Sequence, residues 1–303
     1  MTGPAEWEQR VAGIRAWSKG GVRAPHKPLL LLYALGRLQT SGENSFIPFT
    51  EAEKPLDALL VDFGPTHRTS PGYPFHHLTS DGLWTVRTDQ GIGSPGPNLG
   101  ALRASHAEGR LDPEFAASLL AEPGMLVRVA RFLLDANFPP SLGEAISDQV
   151  GLDLSEQSPV PGHLVGNKLR RDPAFRKEVL LAYEHRCAMC SWDARLDAVA
   201  VGLEAAHVRW FNIGGPDVAA NGLALCVLHH RLLDQGVLGI TDEHTIAVSA
   251  HFVGGGPLAD QFVFSLLGKE IADPLAGFPA IDPLHIGWHT EQVFKAPGRL
   301  VAA

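Results

Sequence analysis

The three cysteines of this chain constrain its fold more than any other feature, because all three fall between positions 187 and 226 of 303 residues. Cys187 and Cys190 form a Cys-x-x-Cys pair, and Cys226 and His229 form a Cys-x-x-His pair. Two pairs of this kind provide the four tetrahedral ligands of a structural zinc site. An odd number of clustered cysteines excludes a closed set of disulfides and favours a metal over oxidation. The sequence therefore predicts one structural Zn²⁺ ion held by these four residues.

Three further polar residues lie inside or beside this zinc frame, namely His207, Asn221 and His230. The segment between the two ligand pairs is rich in Gly, Asp and Ala, so it has little core of its own and an ion would stabilise it. His229 and His230 are neighbours on a predicted helix, where successive side chains point about 100° apart. One histidine can therefore bind zinc while the other faces a different partner.

The segments FRKEVLLAYEHRCAMC, LEAAHV and NGLALCVLHHRLLDQG, and their order, resemble the HNH endonuclease family between positions 169 and 239. The resemblance implies a ββα-metal finger that hydrolyses DNA phosphodiester bonds with a divalent metal. It implies that His207 is the general base for the attacking water, and that Asn221 holds the catalytic loop and orients His207. It also implies that His230 helps to bind a catalytic Mg²⁺ or Mn²⁺ ion, which stabilises the leaving 3′ oxygen.

The residue before the first histidine of this motif departs from the family pattern. Many HNH enzymes place an acidic metal ligand at that position, whereas this chain has Ala206. Two alternatives follow: either Glu204 replaces the missing ligand, or the metal is held by His230 and DNA oxygens. Asp234 lies one helical turn after His230, where it either orients the imidazole or is an ordinary solvated carboxylate.

The first half of the chain resembles the sulfur-binding domain of phosphorothioate-dependent, McrA-type restriction endonucleases. The resemblance is carried by APHKPLLLLYAL at 24–35, FGP at 63–65 and GYPFHHLTSDGLW at 72–84. Sulfur accepts hydrogen bonds more weakly than oxygen, so a small apolar cup favours a phosphorothioate over a phosphate. The DNA- and sulfur-binding residues that the resemblance implies are His26, Lys27, Tyr73, Pro74 and Arg103. Arg103 is chosen by position alone, and Tyr73 with Pro74 has the alternative of a rigid turn that packs on the core.

The chain is long enough for two domains, and we assign it to the α+β class. Residues 139–164 are acidic, rich in Pro and Ser, and show little apolar periodicity. We therefore expect a mixed helical DNA-reading domain at 1–150, a linker at 151–165 and the HNH domain at 166–303. Residues 46–100 are rich in Gly and Pro and are predicted to be loop with a few strands. Helices are predicted over the apolar stripe Trp7 to Trp17, from Pro28, after Asp112-Pro113, over 125–136 and after Asp172-Pro173.

The net charge of −8 argues against a protein that coats nucleic acid through a basic surface. Two local basic clusters, at 10–27 and 168–186, agree either with a DNA site or with solvated helix faces. The N-terminus lacks the basic and apolar blocks of a secretory signal, and the longest apolar run, 29–35, is too short to span a bilayer. We therefore expect a cytoplasmic protein with no membrane partner.

Together these features predict a restriction endonuclease that recognises phosphorothioated double-stranded DNA and cuts it with an HNH site. Two alternatives remain. One is an HNH nuclease whose first domain reads another DNA modification or a plain sequence, and the other is a zinc-stabilised DNA-binding protein without catalysis. The non-catalytic alternative does not need His207 and His230 together. We expect a homodimer, because cutting both strands of a duplex is simplest with two active sites.

Overall fold

The computed structural model describes residues 3–14, 24–155 and 172–300, and the chain divides into two compact units, Met1–Lys168 and Leu169–Ala303. Helices and antiparallel strands occur in both units, which confirms the predicted α+β class. Trp17 and the basic residues of the first cluster at 15–23 lie outside the described residues. No helix in the described part of the chain is long and apolar enough to cross a bilayer.

The described residues of the first unit form helices around a small antiparallel sheet. The helices are α1 (Pro4–Ala12), α2 (His26–Ser41), α3 (Phe49–Phe63), α4 (Gly72–His77), α5 (Leu99–Ala104), α6 (Pro113–Ala121), α7 (Pro123–Asn137) and α8 (Pro140–Val150). The strands are β1 (Ile47–Pro48), β2 (Trp84–Thr88), β3 (Gly91–Ile92) and β4 (Glu108–Leu111). They pair in the order β1-β4-β2-β3, and each pair is antiparallel.

Helix α2 lies at the centre of the first unit's core. The four consecutive leucines at 29–32 are completely buried, because α3, α4, α7 and α8 pack against this helix. Full burial of each leucine side chain contributes about 1.5–3 kcal/mol. The helix begins at His26, two residues before the start expected at Pro28, and ends where Gly42 adopts φ 69°. The core therefore fixes the backbone of His26 and Lys27, the first two residues of the helix.

The prediction that residues 46–100 are loop with a few strands is wrong, because α3 and α4 occupy much of this stretch. Pro55 lies inside α3, where a proline removes one backbone hydrogen bond and is typical of a helix end. Burial of one apolar face of the helix outweighs that cost. This face is formed by Phe49, Ala52, Leu56, Leu59, Leu60 and Phe63.

The helix predicted after Asp112-Pro113 is confirmed as α6, and the Asp112 side chain accepts the backbone N–H groups of Glu114 and Phe115. The helix predicted over 125–136 is confirmed as part of α7. The sequence analysis found little apolar periodicity in residues 139–164, but residues 140–150 of this stretch form the helix α8. This helix buries residues four positions apart on one face, namely Leu142, Ile146 and Val150.

The second unit is built from short elements. Its helices are α9 (Pro173–Ala182), α10 (Val227–Asp234), α11 (Pro257–Phe262) and α12 (Pro283–Gln292). Its strands are β5 (Arg195–Leu196), β6 (Val199–Ala200), β7 (Leu203–His207), β8 (Gly222–Cys226), β9 (Leu238–Ile240) and β10 (Ile246–Val248). They form three antiparallel pairs, β5 with β6, β7 with β8, and β9 with β10.

The β7–β8 pair followed by α10 is the ββα arrangement that the motifs predicted. Helix α9 was predicted from its Asp-Pro start, and the Asp172 side chain caps it by accepting the backbone N–H of Ala174. This helix packs closely on β8, since a Cβ added at Gly222 would lie 2.3 Å from the side chain of Val179. A glycine is therefore required where the hairpin meets the helix, next to the predicted catalytic Asn221.

Candidate nuclease and DNA-contact sites

The four predicted zinc ligands come together in the second unit. Cys187 and Cys190 lie after α9, Cys226 ends β8, and His229 lies in the first turn of α10. Their sulfur and imidazole nitrogen atoms all lie within 4.8 Å of one another. The Nδ1 atom of His229 is 3.5 Å from the Cys187 sulfur and 3.2 Å from the Cys226 sulfur. This is the one group of at least three such ligands in residues 3–14, 24–155 and 172–300.

The surroundings of His229 leave one ring nitrogen available to a metal. Its Nε2–H donates a hydrogen bond of 2.8 Å to the backbone carbonyl of Phe262, the last residue of α11. The unprotonated Nδ1 then faces the sulfur atoms, and a partner on the other nitrogen is the usual way to fix a ligating imidazole. Three thiols and one imidazole at these separations are the donor set of a tetrahedral structural zinc site, so the residues fit such an ion.

His207 ends β7 and is enclosed by a carboxylate and an aromatic ring. Its Nε2 atom forms a hydrogen bond of 2.7 Å with Oδ1 of Asp217. Its ring stacks on that of Phe175 in α9, with ring centroids 4.1 Å apart and planes inclined by 16°. The second carboxylate oxygen of Asp217 accepts the backbone N–H of Asp172 at 2.6 Å. The imidazole is therefore held from two sides by groups that come from different segments.

Asn221 is completely buried and holds the loop that follows His207. Its side-chain oxygen accepts the backbone N–H of Arg209 at 2.8 Å. Its Nδ2 donates to the carbonyls of Arg209 at 2.9 Å and of Pro216 at 3.0 Å. Since the amide satisfies several backbone groups, its removal would leave buried polar groups without partners.

His230 lies on α10 with a carboxylate at each ring nitrogen. Its Nδ1 atom is 2.6 Å from Oε2 of Glu204, and its Nε2 atom is 3.3 Å from Oδ2 of Asp234. The Asp234 side chain is 2% exposed, whereas that of Glu204 is 48% exposed. The hydrogen bond from His230 lowers the pKa of Glu204. His229 and His230 therefore have separate partners, although they are neighbours in the chain.

The strand alternation of β7 places Glu204 on the same face as Ala206. Side chains two residues apart in a strand share a face, and those three apart point to opposite faces. The pairing with β8 is regular from Leu203 opposite Cys226 to His207 opposite Gly222, so this alternation is uninterrupted. In many HNH enzymes the position of Ala206 carries the acidic metal ligand. Glu204 thus lies on the same face of β7 as that position.

Two neighbours of His207 were not indicated as functional by the sequence motifs. Phe175 lies in the helix that was predicted after Asp172-Pro173, and no motif singled it out. Asp217 lies in the loop between His207 and Asn221, and an acidic residue between two motif positions was the one signal that pointed to it. Its partner could not be predicted, because the loop conformation decides which nitrogen it meets.

In the first unit, Tyr73 lies between two imidazoles. Its ring centroid is 5.1 Å from that of His26 at the start of α2 and 4.2 Å from that of His77 at the end of α4. Tyr73 is 39% exposed, whereas Pro74 is buried. The structure therefore brings His26, Tyr73 and Pro74 together, with His77 as an additional neighbour.

The remaining predicted contact residues of this unit are paired with carboxylates. Lys27 donates a hydrogen bond of 2.6 Å to Asp81, and both side chains are largely buried. Arg103 makes two hydrogen bonds to Glu53 of α3, of which the one from Nε is 2.9 Å long. Burial lowers the pKa of His26 to about 4, and the charges of Lys27 and His77 act in the same direction. Its Nδ1 atom has no hydrogen-bond partner among the described residues.

Two family models match the chain, one in each unit. Residues 5–155 match the ScoMcrA-like, DNA sulfur-binding domain. Residues 187–241 match the HNH endonuclease family. A comparison with curated proteins gives no match.

Several solved structures are similar to this chain. The sulfur-binding domain of ScoMcrA complexed with phosphorothioated DNA is 24% identical, with a TM-score of 0.41, and the match covers 48% of this chain and 94% of that chain. The equivalent SprMcrA complex is 26% identical, with a TM-score of 0.43, and the match covers 49% of this chain and 94% of that chain.

The type IV phosphorothioation-dependent restriction endonuclease ScoMcrA is 22% identical, with a TM-score of 0.39. The match covers 48% of this chain and 32% of that chain, so this chain spans about a third of that relative's length. Each unit nevertheless matches a family model of its own, the ScoMcrA-like DNA sulfur-binding domain over residues 5–155 and the HNH endonucleases over residues 187–241.

Proposed function

We propose that this chain is a restriction endonuclease that recognises phosphorothioated DNA with its first unit and hydrolyses phosphodiester bonds with its second. The observation that carries this proposal is the presence of a DNA sulfur-binding domain and an HNH domain in one chain. ScoMcrA, which gives the first domain family its name, is described as a phosphorothioation-dependent restriction endonuclease. The proposed domain limits are 1–150 for the reader, 151–165 for the linker and 166–303 for the nuclease.

In the DNA-reading unit, we propose that Tyr73 contacts the sulfur atom, while the buried Pro74 fixes the backbone beside it. The exposed Tyr73 ring offers an apolar surface, and the imidazoles of His26 and His77 flank it. A phosphorothioate sulfur loses little when it is placed against such rings, whereas a phosphate oxygen gives up hydrogen bonds with water.

Lys27 and Arg103 are proposed to contact phosphates beside the sulfur. Each of them now pairs with a carboxylate, Lys27 with Asp81 and Arg103 with Glu53. DNA phosphates would replace or extend these pairs, and their neutralisation releases counterions. Lys27 is the better supported of the two, because it follows His26 directly at the start of α2.

In the nuclease, His207 is proposed as the general base. It takes a proton from a water molecule while the water oxygen bonds to phosphorus and the bond from phosphorus to the 3′ oxygen breaks. Asn221 keeps the loop after His207 in place through its hydrogen bonds to Arg209 and Pro216. His230 would help to hold a divalent cation, which would supply positive charge next to the phosphate and the departing 3′ oxygen.

Glu204 and His230 are the residues that we propose to hold this Mg²⁺ or Mn²⁺ ion. Their ligand atoms lie 2.6 Å apart, and the carboxylate of Glu204 is the type of ligand that suits Mg²⁺ and Mn²⁺. The buried Asp234 carboxylate lies at the other nitrogen of His230 and would keep the ring oriented. Glu204 would then replace the acidic ligand that Ala206 cannot supply.

The cluster of Cys187, Cys190, Cys226 and His229 is proposed to hold a structural Zn²⁺ ion that joins the turn after α9 to the ββα finger. We also propose that the partner is double-stranded DNA and that the protein acts in the cytoplasm. A homodimer would supply the two active sites that cutting both strands requires.

Incubation of the full-length protein with a phosphorothioated duplex in Mg²⁺, in Mn²⁺ and in EDTA tests this function. We expect cleavage in at least one metal, none in EDTA, and cleavage slowed by at least about 100-fold in the His207→Ala variant. Tight DNA binding without cleavage in either metal would support the non-catalytic zinc protein instead. Equal cleavage of modified and unmodified duplexes would support a reader of another mark or of plain sequence.

A further inference from the structure

We infer that Asp217 is a positioning residue for His207, which sets the tautomer of this imidazole and stabilises its protonated form. The inference rests on the proposed role of His207 as the general base. It concerns a residue that the HNH motif positions do not include, and it starts from the hydrogen bond of 2.7 Å between His207 Nε2 and Asp217 Oδ1.

The direction of this hydrogen bond decides which nitrogen of His207 carries the proton. An ionised carboxylate has no proton to donate, so Nε2 must carry the hydrogen. The lone pair that would accept a proton from water is then on Nδ1 of His207. The two side chains are only 8% and 10% exposed, and a hydrogen bond with a charged acceptor is stronger where water is largely excluded.

The carboxylate of Asp217 is itself held in place. Its Oδ2 atom accepts the backbone N–H of Asp172 at 2.6 Å, directly before α9. The same helix supplies Phe175, whose ring stacks on His207. The start of α9 therefore fixes both the carboxylate and one ring face of the imidazole, while Asn221 holds the loop that joins Asp217 to His207.

This arrangement has a direct consequence for proton transfer. When water gives its proton to Nδ1 of His207, its oxygen bonds to phosphorus, the 3′ oxygen leaves and the imidazole becomes a cation. The Asp217 carboxylate stabilises that cation at hydrogen-bond distance, and the proton later returns from Nδ1 to solvent. Such a buried carboxylate raises the proton affinity of a catalytic histidine without itself taking a proton.

Replacement of Asp217 by asparagine in the full-length protein is the principal test. The Asp217→Asn side chain keeps its size but has no charge, and its amide can pair with either tautomer of His207. We expect kcat to fall by about 10²- to 10⁴-fold, as for a triad histidine that loses its carboxylate. The acid limb of the kcat–pH profile should move to lower pH by about one unit, because the imidazolium is less stable. Asp217→Glu should restore part of the rate.

A matched control separates positioning from a merely structural role. Asp282→Ala removes the side-chain cap of another helix of the same unit, α12, where Asp282 accepts the backbone N–H of Leu284. We expect this variant to melt at a lower temperature and to keep the wild-type kcat–pH profile. If Asp282→Ala and Asp217→Asn lower kcat equally and neither moves the profile, the inference is wrong.

The wild-type protein provides a test that does not depend on folding of a variant. In ¹⁵N NMR spectra of histidine-labelled protein, the neutral form of His207 should carry its proton on Nε2, and a proton on Nδ1 would overturn the inference. His207→Ala separates the two proposals. Cleavage at the wild-type rate by His207→Ala would refute the general base itself, whereas an inactive His207→Ala beside a fully active Asp217→Asn would refute only the role of Asp217.

Discussion

In the first unit, two of the residues proposed to contact DNA, Tyr73 and Arg103, are exposed on a core made of apolar helices, and Tyr73 is 39% exposed. In the second unit, strands of two to five residues surround polar side chains that are themselves buried, and Asn221 and His229 are completely enclosed. The first unit can fold through apolar burial around α2. The second unit has shorter elements joined by four residues that fit a metal ion.

This difference separates two ways of acting on the same polymer. A reader that selects sulfur needs a surface that withholds hydrogen bonds, so exposed rings on a stable core are sufficient. A nuclease must hold a base to within a fraction of an ångström, so its histidines need fixed partners such as Asp217 and Glu204. Changes in one unit should therefore leave the property of the other unit intact.

The largest expected effect is on the fold of the second unit. Cys190→Ser should reduce bound zinc and lower the free energy of unfolding of this unit, since binding of a structural zinc ion is worth on the order of 10 kcal/mol. Metal analysis and a thermal unfolding curve measure both. The unfolding transition of the first unit should not shift. Asp193→Asn, an exposed change in the same loop, should keep the zinc. Folded wild-type protein that holds no zinc when freshly purified would contradict the assignment.

The next effect in size is on catalysis. His207→Ala should lower the cleavage rate by about 10²- to 10⁴-fold, the usual loss when a general base is removed. Single-turnover cleavage measures this rate, and zinc content and DNA affinity should stay near wild type. His251→Ala changes an exposed histidine of the same unit and should be neutral. A His207→Ala protein that cuts at the wild-type rate would refute the mechanism.

Binding of the catalytic metal should change less. Glu204→Gln removes the charge opposite His230 and should weaken Mn²⁺ binding by about 10- to 100-fold, the range seen for residues that support a metal site. Electron paramagnetic resonance titration of the zinc-loaded protein measures the Mn²⁺ affinity without cleavage. Glu243→Gln, an exposed acid of the same unit, is the control. Unchanged affinity in Glu204→Gln would show that Glu204 is not a ligand.

Sulfur selection is a smaller effect and belongs to the first unit alone. Tyr73→Ala should remove most of the preference for phosphorothioate, which we expect to be about 1–3 kcal/mol because that is the cost of an oxygen without hydrogen bonds. Competition binding between the two duplexes measures this preference, in protein that also carries His207→Ala so that cleavage does not interfere. Ile92→Ala, a change at a 76% exposed apolar residue, should have no effect. Lys27→Ala should instead weaken binding to both duplexes and reduce its salt dependence. A full preference in Tyr73→Ala would contradict the proposed cup.

The smallest effect concerns pH. The pKa of His26 is about 4 in the folded chain, below its ordinary value of 6.5, chiefly because of burial. Between these values the unfolded chain binds a proton that the folded chain does not, so stability falls as the pH is lowered from about 6.5 towards 4. The glutamine of His26→Gln does not titrate. The free energy of unfolding of this variant should therefore fall over this pH window by about 1–2 kcal/mol less than that of the wild type, allowing for partial exposure. Urea unfolding at both ends of the window measures the difference, with His67→Gln as control. Equal losses in wild type and His26→Gln would contradict this account.

The zinc frame and the helix caps were predictable because their signals are local. A Cys-x-x-Cys pair and a Cys-x-x-His pair each span a single turn, so spacing alone indicates that both ligands can reach one ion. The Asp-Pro starts of α6 and α9 are equally local, since a cap acts within three residues. Helix α3 was missed because the prolines at 48 and 55 suggested breaks, and only tertiary burial of its apolar face shows that the helix continues.

The partners of the candidate site residues were not predictable, because they lie far away in the sequence. Arg103 meets Glu53 across 50 positions, and Lys27 meets Asp81 across 54, so only the folded chain brings these charges together. The role of Asp217 depends on a loop whose conformation Asn221 fixes. Sequence patterns thus indicate which residues carry chemistry, whereas the partners that tune them come from tertiary structure.

The central claim is that sulfur bound by the first unit directs cleavage by the second. It is tested most directly by kcat/KM for two duplexes of identical sequence, one with a single stereodefined phosphorothioate and one with only phosphates, cut by the full-length protein in the same metal and salt. We expect the kcat/KM of the phosphorothioate duplex to be about 5- to 150-fold higher, which corresponds to the 1–3 kcal/mol expected for sulfur selection. Only one of the two phosphorothioate stereoisomers should show this increase. Equal kcat/KM for both duplexes at several salt concentrations would contradict it.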